Sequence, residues 1–428
     1  MLLDILGIGS GYVFVCERYV NQPRSLDIRL HCTLFLSQNQ ERMAECMPRK
    51  ERITEIESLR GIAFGAVVLQ HSIAHYSLVP ETRLEDGVLL AILLMLSKFA
   101  VPLFIFITGM VLFYNTGDKL HYGQFMRKRV NDVIVPYLIW SLIYFTLAPR
   151  GWTGFGWNDI PDLGLKLITG KTTSHFWYII MLIQFYLLFP LFLRAIRYVY
   201  NRYEAKGRMI ALLISGVVYL VLADQLGNIA KFMERLNIPV LTDAFTTYAD
   251  RNFLYFFIYF VLGAAAGLSV KHWNEWIHRL RWIYWTVFIV LGLRFTYLLM
   301  LEFQKPEGIK ITFYTVSLIR PDMALFLIAS IMVMYQLAGK LHNLRATRLL
   351  GWIGGVSYGG YLMHMLMLRY SYIPDELFYV AMGWNPVVRM TITWLMALTL
   401  SCVLTWLISR VSWGKWIVGT VPKSVRDK

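Results

Sequence analysis

Residues 56–76 read IESLRGIAFGAVVLQHSIAHY. Ten residues without formal charge separate Arg60 from His71, and Arg49, Lys50 and Arg52 stand just ahead of the stretch. A helix needs about 20 apolar residues to cross a bilayer core, and a basic flank keeps its near end in the cytoplasm. The stretch therefore predicts a spanning helix over 57–78 that carries an arginine and an imidazole into the membrane. Nine further apolar stretches follow, over 88–115, 130–148, 176–193, 209–223, 252–270, 282–301, 321–338, 349–368 and 387–409. The second is long, and Pro102 is its expected kink. The fold class read from this pattern is all-α: a polytopic membrane bundle of about ten helices, with both ends inside.

Composition points the same way. Hydrophobic residues make up 57% of the 428 and charged ones 16%, whereas soluble domains carry about 25% charged residues. That excludes an ordinary soluble enzyme, a disordered chain and a small disulfide scaffold. The net charge of +15 invites a nucleic-acid reading. No basic stretch stands clear of the apolar runs, however, so no nucleic-acid partner is expected. With residues 48–60 placed inside and the loops alternating, the inner side holds 24 Lys/Arg against 8 Asp/Glu, counting charges at the helix ends. The outer side holds 12 against 14. An error in the helix count would scramble that alternation from the error onward. A multi-pass protein of the cell membrane, with the bilayer as its partner, is the expectation.

Residues 1–47 form an N-terminal extension and 48–428 the transmembrane domain. The stretch LLDILGIGSGYVFV, residues 2–15, is too short to span. Residues 1–46 leave two readings open: an interfacial segment, or text upstream of a start at Met43 or Met47. They are expected to be dispensable. Cys16, Cys32 and Cys46 lie in this part and Cys402 in an apolar run, with no spacing of a metal clip or redox pair.

Polar groups inside a bilayer are costly and are functional candidates by default. They are Arg60, His71, His75, Lys98, Arg294 and His364, with Asp322 near an outer end. Arg60 and His71 are eleven residues apart, which returns to within about 20° of the same helix face and about 16 Å farther along the axis. Arg60 thus sits at the inner mouth of a stripe whose deeper member is His71. A guanidinium fork suits a phosphate, and an imidazole suits proton transfer at a hydroxyl. The alternative is an orienting arginine and a buried histidine bonded to a neighbouring helix. His71 and His75 share a helix face, but no third ligand is in register, so no metal is expected.

LRGIAFGAVVLQH (59–71) resembles the R-x10-H signature of the acyltransferase-3 family of integral-membrane O-acyltransferases. The resemblance continues through FAVPLFIFITGMVLF (99–113), MRKRVNDVIVPYLIWSLIY (126–144), HFWYIIMLIQFYLLFP (175–190) and LLGWIGGVSYGGYLMHMLML (349–368). The order and spread over about 48–411 are similar to the Gram-positive type that modifies intercellular-adhesion polysaccharides. One departure stands out. Relatives often carry R-x-x-R before the proline of the third helix, whereas here Arg129 is followed by Asp132. The acid has Arg129 and Lys128 as local partners, which makes Arg129 a weaker donor-site candidate than Arg60. The extracellular transferase extension of some relatives is not expected here.

The resemblance implies transfer of an acyl group, acetyl or another short chain, from cytoplasmic acyl-CoA to a hydroxyl of an envelope or extracellular polysaccharide. His71 and Arg60 are the implied catalytic residues, and Arg60 and Arg129 the donor-binding ones. Acyl-CoA enters as substrate, with no cofactor, and a glycan synthase or secretion complex is a further possible partner. The outer loop 149–175 carries Trp152 and Trp157 and leads to His175, Trp177 and Tyr178. These are acceptor-side candidates, unless the aromatics are an interfacial belt and His175 a satisfied loop residue. His364 matches the family's late histidine and is the remaining candidate, with a structural role as the alternative. Two other functions compete: a polysaccharide exporter or other transporter, and a catalytically silent scaffold for a glycan synthase. Transporters often show paired broken helices in repeated halves, and no internal repeat is visible.

Overall fold

The computed structural model describes residues 53–117, 120–147, 156–303, 315–341 and 345–427. The N-terminal extension, Trp152 and part of the loop at 149–175 lie outside the described residues. Each of the ten expected segments carries a helix, and no strand occurs among the described residues.

Helix α1 (Thr54–Tyr76) has Glu55 and Glu57 in its first turn and His75 in its last, the charge order that a helix dipole favours. The second expected span is interrupted between α2 (Leu84–Ser97) and α3 (Ala100–Asn115). The break falls at Lys98–Phe99 rather than at Pro102. Proline has no N–H and its ring clashes with the carbonyl four residues back, here that of Lys98, so the disruption appears one turn upstream. The third span is longer than expected: α4 (Tyr122–Arg129), a π-turn over Val130–Ile134 and α5 (Val135–Thr146) run on without a gap. The wide turn carries the chain past Pro136, which donates no hydrogen bond.

Beyond α6 (Ile160–Thr169), α7 (Trp177–Arg202) is extended past the expected end and contains Pro190. Then come α8 (Ala205–Asp224), α9 (Leu226–Leu236) and α10 (Pro239–Phe245). The span expected over 252–270 is shorter: a 3-10 turn at Phe253–Tyr255 precedes α11 (Phe257–Leu268). Twelve helical residues reach only about 18 Å. The chain continues through α12 (Val270–Arg279), α13 (Arg281–Phe303), α14 (Pro321–Leu341), α15 (Arg345–Pro374), α16 (Pro386–Ser409), α17 (Gly414–Val418) and α18 (Lys423–Arg426).

Among the described residues six segments are long and apolar enough to cross a membrane, counting Leu84–Asn115 as one. Their outward faces are apolar. Leu213, Val217 and Val221 on α8, and Ile283, Val290 and Leu293 on α13, are all exposed. Such continuous exposed apolar surface belongs against lipid rather than water.

Helix α15 runs parallel to α1: Phe64 lies against Gly360, and Tyr76 faces Tyr372 farther along. Close approach depends on small residues, because a Cβ on Gly354 would collide with the Glu57 carbonyl. Gly263 of α11 is fixed in the same way by the Phe106 carbonyl of α3. Helix α16 closes on α1 in the opposite sense, through Ser72 Oγ donating to the Met390 carbonyl (3.1 Å) and Trp394 Nε1 donating to the Gly65 carbonyl (2.9 Å). These contacts hold α1, with Arg60 low and His71 high, at the centre of the bundle.

Candidate functional site

The parallel register of α1 and α15 sets Arg60 and His71 on a wall shared with Tyr358, Tyr361 and His364. Around Arg60 opens a cleft of about 230 Å³. Arg129 lines it from α4, Tyr178 and Tyr186 from α7, Tyr358 and Tyr361 from α15, and Thr420 and Pro422 from the C-terminal segment. The two guanidiniums enter from different helices and share this space. Among the described residues neither forms an ion pair: the Arg129 guanidinium lies over the rings of Phe125 (5.0 Å) and Tyr186 (5.1 Å), and its buried Nε has no hydrogen-bond partner. An arginine held by aromatic faces keeps its N–H fork available for an anion.

The expectation that Asp132 pairs with Arg129 or Lys128 does not hold. Its Oδ1 accepts a hydrogen bond from Thr420 Oγ1 at 2.8 Å, tying the C-terminal segment to the wall of the cleft. Sequence distance hides this partner, 288 positions away. A wider basic recess of about 350 Å³, lined by Gln124, Arg127, Lys128 and Asn131, adjoins at Asp132 and Thr420.

Deeper in the bundle three imidazoles meet. The ring centroids of His175 and His364 are 4.5 Å apart, those of His71 and His364 5.2 Å, and those of His71 and His175 6.3 Å. His175 and His364 are buried, at 2% and 0% exposure. Charged imidazoles this close repel, so the three rings are not all positively charged at once. Tyr361 links the cluster to the cleft: it lines the cleft, its hydroxyl donates to the His175 carbonyl, and its ring lies 5.5 Å from His364. From α5, Tyr144 braces α15 on both sides of His364, donating to the Leu362 carbonyl (3.0 Å) and accepting from the Leu366 N–H (3.2 Å). His175 is therefore a bundle residue and not an outer-loop cap. Among the described residues no group of three His, Cys, Asp or Glu side chains is disposed to hold a metal ion.

Other candidates fall elsewhere. Tyr178, read from the sequence with the acceptor side, lines the arginine cleft. Trp177 packs on Phe256 at 5.7 Å, outside cleft and cluster, and Trp157 is 88% exposed. His75 stacks on Tyr372 at 3.8 Å. Arg294 pairs with Asp322 at 2.8 Å, and Arg320 reaches the same carboxylate at 3.0 Å. Lys98 is the exception: buried at the break between α2 and α3, it lies close enough for its charge to act on His71. Tyr186, Tyr358 and Tyr361 were not singled out from the sequence. Tyr358 and Tyr361 do lie inside the quoted stretch 349–368, six and three residues before His364 on its helical face.

Comparison with known proteins adds two findings. The profile described as "Acyltransferase domain" matches residues 53–406. Over an alignment of 164 positions the chain is 31% identical to "Acyltransferase MdmB" of Streptomyces mycarofaciens, covering 35% of this chain and 41% of that protein. No solved structure matches.

Proposed function

The chain belongs to the acyltransferase domain family, and from that premise we propose that it is an integral-membrane acyltransferase. It takes acyl-CoA at the arginine cleft from the cytoplasm and transfers the acyl group, acetyl or another short chain, to a hydroxyl of an envelope or extracellular polysaccharide. The observation that carries this reading is the arrangement of the cleft: two guanidiniums that form no ion pair among the described residues, joined through Tyr361 to an imidazole cluster in which His175 and His364 are buried. Arg60 and Arg129 take the phosphates of the donor, with paired N–H donors matched to phosphate oxygens. Arg127 and Lys128, in the adjoining recess, add attraction for a polyanion. The narrow, tyrosine-lined part suits the pantetheine arm and points the thioester at the cluster.

His71 is the base. An acceptor hydroxyl loses its proton to the imidazole as its oxygen attacks the thioester carbonyl. The C–O bond forms, the C–S bond breaks, and the proton passes to the leaving sulfur, so that ester and CoA thiol are the products. Burial of His175 and His364 beside His71 keeps bulk water from that side of its ring and disfavours hydrolysis.

The test is release of free CoA thiol by purified protein, with and without candidate glycans. Glycan-dependent release supports the reading, and its absence for every acyl-CoA and glycan tried counts against it. Sidedness has its own test. In a cysteine-free background, Trp157→Cys in intact cells should react with an impermeant thiol reagent and Lys423→Cys should not. The reverse pattern would exchange the donor and acceptor sides.

A further inference from the structure

His364 carries a hydrogen bond that fixes its chemistry. Its Nδ1 lies 2.7 Å from the Tyr361 carbonyl. A carbonyl only accepts, so Nδ1 bears the proton and Nε2 is left as a lone pair. That Nε2 is buried and has no hydrogen-bond partner. A buried acceptor without a partner is costly, and such exceptions call for an explanation. The ring of His71 lies beside it, 5.2 Å between centroids and tilted by 46°. Rings at that separation bring nitrogens within hydrogen-bond reach after a small rotation, and catalytic hydrogen bonds often close only with substrate bound. Helix α15 is held here by Tyr144 and by the Tyr361 hydroxyl on the His175 carbonyl, and the His364 ring is held by its bond to the Tyr361 carbonyl, with the His175 ring on its other side at 4.5 Å.

We propose that His364 is the positioning residue of His71: its Nε2 accepts the N–H of His71, sets which nitrogen of His71 is basic, and steadies the imidazolium formed during transfer. This rests on the reading of His71 as the base. During transfer the hydroxyl proton moves to the free nitrogen of His71 while the opposite N–H stays hydrogen-bonded to His364 Nε2. The proton then moves to the leaving sulfur, and both rings end neutral. Oriented histidines elsewhere often lean on a carboxylate. Here a second imidazole, polarised by a backbone carbonyl, does that work without placing another negative charge in the bundle, where an unpaired charge is expensive.

Two substitutions separate this role from simple packing. In His364→Asn the side-chain amide can still donate to the Tyr361 carbonyl, but nothing stands at Nε2. In His364→Gln an amide oxygen reaches toward the Nε2 position as an acceptor. Glycan-dependent CoA release should fall about 10²-fold in the Asn variant, the scale of a lost base, with CoA affinity unchanged. The Gln variant should recover at least tenfold over Asn. In the His71→Ala background, His364→Asn should cost little more. A folded Asn variant with wild-type turnover overturns the proposal, as does Gln no better than Asn, or losses at 71 and 364 that multiply. A wild-type protein that releases no CoA instead refutes the underlying functional reading, so the two failures are distinguishable.

Discussion

Arginine is used in opposite ways at two places in this molecule. Arg389 of α16 is buried and makes a two-pronged ion pair with Asp375 (2.7 and 2.8 Å), with Glu81 at 3.5 Å and the Tyr76 ring beneath it. Its charge is spent within the fold. Arg60 and Arg129 line an open cleft and form no ion pair among the described residues. The contrast gives a way to rank polar groups inside a membrane protein. Cost alone makes every one of them a candidate, and whether the fold already supplies its counter-charge decides which remain. Arg294, with Asp322 and Arg320 around it, falls on the Arg389 side of that line.

Substitutions at the two kinds of arginine should differ in a definite order of effect. Arg389→Ala leaves Asp375 buried without its partner and should cost about 3–5 kcal/mol of stability, read as a lowered unfolding temperature in detergent. Replacing both members, with Arg389→Met and Asp375→Leu, should recover most of that loss. An Arg389→Ala protein as stable as wild type would remove the structural half of the contrast. His71→Ala should leave stability and insertion near wild type while CoA release falls by about 10²-fold or more. Retained turnover would dismiss His71 as the base. Arg60→Lys keeps the charge and loses the fork, so it should be impaired in donor binding, with Arg60→Ala worse. Free exchange of Lys for Arg would make Arg60 an orienting charge only. Arg294→Ala should matter least, within about 1 kcal/mol, because Arg320 still holds Asp322 and such pairs contribute little.

Much of the fold was legible because bilayer length and apolar runs constrain each other. All ten expected segments contain helix. Boundaries were less so. The break at Lys98–Phe99 stands one turn before the proline that causes it, and the π-turn at Val130–Ile134 likewise precedes Pro136 and leaves the helix unbroken. The shortened α11 was hidden because the residues ahead of it, through Tyr255, are as apolar as a helix would be. For the site, the eleven-residue spacing of Arg60 and His71 could be read within one helix. The meeting of His71, His175 and His364 could not, since it depends on α1 and α15 running parallel and on the turn before α7 folding into the bundle. Asp132 is the same lesson in reverse. Its neighbours in sequence suggested an ion pair, and its neighbour in space is Thr420.

The central claim is that the cleft around Arg60 holds the acyl donor. Equilibrium binding of CoA to purified wild type, Arg60→Ala and Arg294→Ala tests it most directly, because it needs no acceptor glycan. Hydrogen bonds to charged groups contribute about 1.5–3 kcal/mol, which is a factor of roughly ten to a hundred in affinity. The expected result is binding by wild type and Arg294→Ala alike, with Arg60→Ala weaker by at least about tenfold. Equal CoA affinity in wild type and Arg60→Ala would contradict it.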